Sequence, residues 1–194
     1  MKVQFATPFT AKLAEQVKPD VVIVAAGSTP LILDIPGIHG KNVVLAKDIL
    51  LGKIEPAKRI AVLGGGLVGL ETAVHLGWLG RKVTIFEKVA ALCPEVVSGV
   101  LPALLKLVDD YGIQKVLNAN VVEITATDVV VVVDGAKKSF PADMVVLAMG
   151  MNKENGLVSE LKGKVRTVLA VGDAVRPRQA LQATREGFVA GLSV

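Results

Sequence analysis

The feature that most restricts what this 194-residue chain can become is a run of six residues, Gly64-Gly65-Gly66-Leu67-Val68-Gly69. Glycine stands at its first, third and sixth positions. Before it, Arg59–Leu63 is a strand-length run rich in apolar residues; after it, Leu70–Leu79 reads as a helix ended by Gly80. A second such run, Lys82–Phe86, follows and closes on Glu87. Strand, tight glycine turn, helix and strand within about 30 residues make one βαβ unit with parallel strands.

Each glycine stands where a dinucleotide site needs it. Gly64 permits the tight turn off the strand, Gly66 lacks the Cβ that would keep a diphosphate from the backbone, and Gly69 lets helix and strand pack closely. The helix start then offers free N–H groups and partial positive charge to phosphate. Glu87 lies 23 residues after Gly64, close to the ~20 expected for an acid that binds ribose hydroxyls. The expected cofactor is therefore NAD(H), held by Gly64, Gly65, Gly66, Leu67, Val68, Gly69 and Glu87. A carboxylate repels a 2′-phosphate, so Glu87 favours NAD over NADP. Lys88 and Arg81 could soften that preference or simply face solvent.

The rest of the chain fits an α/β protein. Residues 20–27 read as a buried parallel-type strand. Residues 30–57, with Pro30, Pro36, Gly37, Gly40, Gly52 and Pro56, read as a linker with one short helix near Ala46–Leu51. A helix over 99–111, three short strands near 116–117, 121–125 and 129–133, and an Asp134-Gly135 hairpin turn come next. Strands at Met144–Ala148 and Val168–Val171 precede a helix over Ala180–Leu192. The expected fold is a Rossmann-like parallel sheet with helices on both faces and a small antiparallel hairpin layer.

Composition excludes other classes. No apolar run approaches the ~18 residues of a membrane helix, and no signal-peptide layout opens the chain; the plain reading is a soluble cytoplasmic protein. The single Cys93 rules out an internal disulfide, a CxxC redox pair and a multi-cysteine metal site. The net charge of +4 is dispersed and aromatics make up 4 %, so a nucleic-acid surface is not expected. Glu71 and His75, four apart, share a helix face and read as a pair near a cofactor or as plain helix surface. No catalytic residue is assigned, because no Ser/His/Asp spacing supports a triad and hydride transfer needs none.

One internal repeat bears on domain organisation. Asp20-Val21-Val22-Ile23-Val24-Ala25-Ala26-Gly27 parallels Asp143-Met144-Val145-Val146-Leu147-Ala148-Met149-Gly150. Either buried strands share a vocabulary, or two related nucleotide domains each close with this strand. On the second reading the chain starts inside its first domain, with roughly 65 residues or more of that domain absent by analogy of spacing.

These residues in this order, Val22-Ile23-Val24-Ala25-Ala26-Gly27-Ser28-Thr29-Pro30, the glycine turn with Leu70-Glu71, Ala142–Gly150 and Ala170-Val171-Gly172-Asp173-Ala174, resemble the pyridine nucleotide-disulfide oxidoreductase type. In particular the chain resembles the C-terminal part of the NADH:flavin oxidoreductases, the group of 2-enoate reductase, 2,4-dienoyl-CoA reductase and trimethylamine dehydrogenase. Pro177-Arg178 and Arg185-Glu186-Gly187 fit that group. The resemblance implies an NAD(P)H domain over 58–137, inserted in an incomplete FAD- or ADP-type domain made of 1–57 and 138–194. It implies that Gly27, Gly172 and Asp173 approach a flavin nucleotide, Asp173 accepting from a hydroxyl, and that Glu71 and Gly150 lie near the nicotinamide end. It also implies a parent enzyme passing hydride from NADH to flavin and reducing an activated C=C bond or related substrate. The partner would be the missing N-terminal part, comprising a flavin barrel and the rest of the FAD/ADP domain.

Two departures stand out. The usual Ala-Thr-Gly turn is Ala25-Ala26-Gly27, and the outer domain's own glycine-rich βαβ unit is missing. FAD is therefore expected in the intact parent and not retained here. The alternatives are a vestigial ADP- or NAD-binding module without turnover, and a methyltransferase, which also places a glycine turn before a helix. The Asp134-Gly135 hairpin followed by Ala-x-Gly and Gly-Asp-Ala argues against the last. The oligomeric state is unassigned.

Overall fold

The computed structural model describes residues 1–94 and 99–194. In chain order the first elements are α1 (Ala11–Val17), β1 (Val21–Val24), β2 (Ser28–Pro30), β3 (Val43–Leu45), α2 (Ala46–Leu50), β4 (Arg59–Leu63), α3 (Leu67–Trp78) and β5 (Lys82–Phe86). There follow α4 (Leu101–Asp110), β6 (Gln114–Val116), β7 (Asn120–Ile124), β8 (Asp128–Val133), β9 (Ala136–Pro141), β10 (Met144–Leu147), β11 (Met151–Lys153), α5 (Gly156–Leu161), β12 (Thr167–Ala170) and α6 (Ala180–Leu192). They form two compact units, one of Met1–Thr29 with Met151–Val194, the other of Pro30–Gly150.

The Pro30–Gly150 unit is built on a five-stranded sheet of order β3-β10-β4-β5-β6, parallel throughout. Its central strands are apolar on both sides: Ile60–Leu63 and Met144–Leu147 are all buried, as a parallel sheet covered on two faces requires. One face carries Ile60, Val62, Ile85 and Val146 against Leu70, Ala73 and Leu76 of α3, Val108 of α4 and Ile49 of α2. The other carries Ala61, Leu63, Val145 and Leu147 against Ile124, Val129 and Val131 of the antiparallel sheet β7-β8-β9. The α/β class and the antiparallel layer agree with the sequence. Among the described residues of this unit, however, helices cover one face only. The alternating valines of β8 bury Val129 and Val131, and that sheet takes the place of helices on the second face.

The expected boundaries at 57/58 and 137/138 fall inside this unit; its edges are at 29/30 and 150/151. The reason lies in β3. The segment 30–57, read as a linker, contributes a strand that pairs with β10 in register Val145↔Val43, and β9 pairs in full with β8.

The other unit pairs β1 with β12 in parallel and β2 with β11. Val22, Val24 and Val168 pack with Ala14 of α1 and Leu157, Val158 and Leu161 of α5. Four of its elements (α1, β2, β11 and α5) were not foreseen from sequence. Helix α1 is fixed locally, with Thr10 accepting from the Leu13 N–H at 3.2 Å and Lys18 closing it at φ 49°.

Candidate nucleotide-binding site

The glycine turn sits where strand order reverses. From β4 the chain passes through α3 to β5 on one side, while β10 returns to lie on the other side of β4. Such a switch point, at the carboxyl ends of the strands, opens a crevice. Gly64 has φ +105°, and a Cβ there would lie 2.3 Å from the Ala148 carbonyl oxygen. The turn therefore passes directly against the end of β10, and only glycine fits. A Cβ on Gly69 would stand 1.9 Å from the Gly64 carbonyl oxygen, which is the helix-to-strand approach that the spacing predicts.

Gly66 is different. It is the N-cap of α3 at φ −69°, ψ −180°, it gives no side-chain cap, and the first turn holds no acidic residue. A Cβ built on it meets nothing within 4 Å. The helix starts three residues earlier than its apolar pattern suggests, at Leu67, because the cap is the third glycine and the pattern does not report caps. The free N–H groups at this start thus face an uncovered approach.

The acid is fastened to the same turn. Glu87, half-buried at the end of β5, accepts from the Gly65 N–H through Oε2 at 2.6 Å and from the Val89 N–H through Oε1 at 3.0 Å. Each oxygen keeps acceptor capacity for a further donor. The Gly65 carbonyl in turn accepts from the Cys93 N–H at 2.9 Å and lies 3.4 Å from its Sγ. Leu92 closes the remaining side, its Cδ2 2.4 Å from where a Gly65 Cβ would be. Sequence reading left Leu92 out and gave Cys93 no place in the site. Burial pushes the Cys93 thiol up, and the Glu71 and Glu87 charges add to the effect, which disfavours the nucleophilic thiolate. Lys88 and Glu71 are exposed. Gly150, at φ +109°, follows β10, and its carbonyl accepts from the Leu31 N–H at 2.9 Å.

Gly27, Gly172 and Asp173 belong to the other unit and come together there. They line a crevice of about 330 Å³ with Ala25, Val171 and Arg178 among its walls. Asp173 accepts from the Ser28 hydroxyl at 3.0 Å and from the Arg178 N–H at 3.1 Å.

The sequence pattern of the pyridine nucleotide-disulphide oxidoreductase family matches residues 3–187. The bilirubin reductase of Mediterraneibacter gnavus is 36 % identical over 173 residues, 89 % of this chain and 27 % of that protein. The NADH oxidase of Thermoanaerobacter brockii is 33 % identical over 184 residues, 92 % of this chain and 28 % of that protein. Among solved structures, a 2-naphthoyl-CoA reductase in complex with 2-naphthoyl-CoA superposes with a TM-score of 0.91 at 26 % identity, over 100 % of this chain and 30 % of that one. The chain thus spans less than a third of the length of each of these proteins. The match runs through both compact units and takes in the Gly64–Gly69 turn, Glu87 and the Gly172-Asp173 turn: the chain belongs to the pyridine nucleotide-disulphide oxidoreductase family.

Proposed function

We propose that the Gly64–Gly69 turn and Glu87 bind NADH, as part of a larger flavin-dependent oxidoreductase that passes hydride from NADH to flavin. One observation carries this reading: the uncapped start of α3 opens beside Gly66, where nothing lies within 4 Å of a Cβ, while Glu87 is tied to the adjacent Gly65 N–H. The main-chain amides from Gly66 to Gly69 take the diphosphate. Glu87 takes the adenosine ribose hydroxyls with its remaining acceptor capacity and disfavours NADPH; exposed Lys88 flanks it. Glu71 and Gly150 belong to the nicotinamide end. NADH supplies the hydride; the chain binds and orients it, and no side chain need move a proton.

Gly27, Gly172 and Asp173 make part of a flavin-nucleotide site. No second glycine-rich phosphate turn occurs in their unit, so FAD held by this chain alone is expected to bind weakly. The partner that completes the site is the N-terminal part of the parent enzyme. The exposed apolar residues Leu181, Phe188 and Leu192 of α6 and Ile23 of β1 support a polypeptide cover there. Within the family, the NADH:flavin oxidoreductase group of 2-enoate reductase type, acting on an activated C=C bond, is the reading that the end-to-end superposition on a 2-naphthoyl-CoA reductase favours. A vestigial ADP- or NAD-binding module without turnover has one observation in its favour, namely that Asp173 is already engaged by Ser28 and Arg178.

Calorimetric titration of NADH, NADPH, FAD and ADP into the 194-residue chain tests the assignment. NADH is expected to bind more tightly than NADPH, with FAD weak. Tight FAD binding without NADH binding would overturn it. Reduction of added FAD by NADH separates turnover from a passive module.

A further inference from the structure

We propose that Arg178 and Glu186 are positioning residues, forming a brace that fixes the Gly172–Ala174 turn and presents Asp173 to a hydroxylated ligand in its crevice. This rests on the reading of that crevice as a nucleotide site. The two residues lie in the segments Pro177-Arg178 and Arg185-Glu186-Gly187, which the sequence singles out without giving them work.

The brace is a closed chain of bonds. Glu186, within α6, accepts the Gly172 main-chain N–H on Oε2 at 2.8 Å and pairs through Oε1 with Nη2 of Arg178. Arg178 donates its own N–H to Oδ1 of Asp173 at 3.1 Å and its Nε–H to the Arg176 carbonyl at 3.1 Å. The Ser28 hydroxyl closes the other side on Oδ2 of Asp173 at 3.0 Å. Helix α6 can reach the turn because residue 172 is glycine at φ +63°; a Cβ there would come 3.2 Å from Ala183 Cβ. Ala183 and Glu186 are three apart on one helix face, so the contact that needs the glycine also aims the carboxylate.

An isolated surface ion pair contributes little. This one ends on main-chain groups at both ends of a turn that carries a carboxylate, and the rigid planar guanidinium offers Glu186 and the Arg176 carbonyl separate donors in a fixed fork. Arg178 and the Gly172 N–H together hold the Glu186 carboxyl below the usual carboxylate range, so the brace stays charged at neutral pH. Asp173, with one hydrogen bond on each oxygen, keeps acceptor capacity for the hydroxyls of a ribose or ribityl chain.

Amide hydrogen exchange and NMR titration of the 194-residue chain test this. In Glu186→Ala the Gly172 amide is expected to exchange about tenfold faster, the size of one lost charge-assisted bond, and Glu186→Gln, whose amide oxygen still accepts, is expected to restore most of the protection. FAD at millimolar concentration is expected to shift the Gly27 and Gly172 signals in the wild type and in Glu186→Gln, and not in Glu186→Ala or Arg178→Met. Undisturbed α1 and α5 signals, from the same compact unit, control for its folding. Unchanged Gly172 exchange in Glu186→Ala would overturn the brace. Faster exchange with unchanged FAD shifts would overturn its positioning role. If FAD shifts neither signal in the wild type, the nucleotide reading of the crevice fails, and with it the positioning role; the exchange rates still judge the brace.

Discussion

The glycines of one six-residue turn serve two purposes, and substitution separates them. Gly69 has no room for a methyl group, with a Cβ 1.9 Å from the Gly64 carbonyl oxygen, whereas Gly66 has open space. Gly69→Ala is therefore expected to cost about 3 kcal/mol, the upper end of ordinary overpacking, read as a lower urea midpoint. Gly66→Ala is expected to cost no more than about 1 kcal/mol, the scale of a weakened N-cap, yet to abolish NADH binding in calorimetry. Equal effects of the two on stability would contradict the geometry. Glu87→Ala is expected to weaken NADH about tenfold, as for a lost hydrogen bond to a charged group, and to weaken NADPH less; unchanged affinities for both would remove Glu87 from the site. The glycine positions and Glu87 were legible because their spacing answers to backbone geometry. Leu92, Cys93 and Ser28 were not, because each acts by a contact that only the folded chain creates.

At the scale of elements, legibility followed apolar patterning. The buried strands β4, β5 and β10 and the amphipathic helix α4 announced themselves by apolar runs and periodicity. Strands β3 and β11 and helix α5 span between three and six residues, too short to be stable without tertiary partners. Their existence depends on pairing, as of β3 with β10, which local sequence does not encode. Register between β10 and β4 has its own marker. Asp143, just before β10, accepts from the main-chain N–H of Arg59 at 3.0 Å and from its guanidinium, with Nη2 at 2.6 Å. The Arg59 guanidinium beside it holds the Asp143 carboxyl below its usual range. A depressed carboxyl contributes stability that is present above the unfolded-state pKa, about 4, and is lost as pH falls through the lower folded-state value. Asp143→Asn is therefore expected to lower the urea midpoint at neutral pH and to flatten its decline below about pH 4. An acid limb as steep as the wild type's would show that the pair is not what titrates.

At the scale of the whole molecule, the two compact units differ in what holds them. The Pro30–Gly150 unit encloses its sheet between helices and an antiparallel layer, with Val62, Ile85, Val145 and Val146 fully sealed. The other rests on a small cluster around Ala14, Val24, Leu161 and Val165, and leaves much of the α6 surface exposed. No helix among the described residues is long and apolar enough to cross a membrane. Opening free energy follows buried apolar contact. Amides of β1 and β12 are therefore expected to exchange at least about tenfold faster than those of β4 and β5, in a separate sub-global opening. A ligand that binds the folded state stabilises the region that holds it by mass action. NADH is accordingly expected to raise protection across β4, α3 and β5 while leaving β1 and β12 unchanged. One cooperative opening for the whole chain, or protection gained first in β1 and β12, would place NADH binding in the other unit and reverse the division of labour proposed for the two.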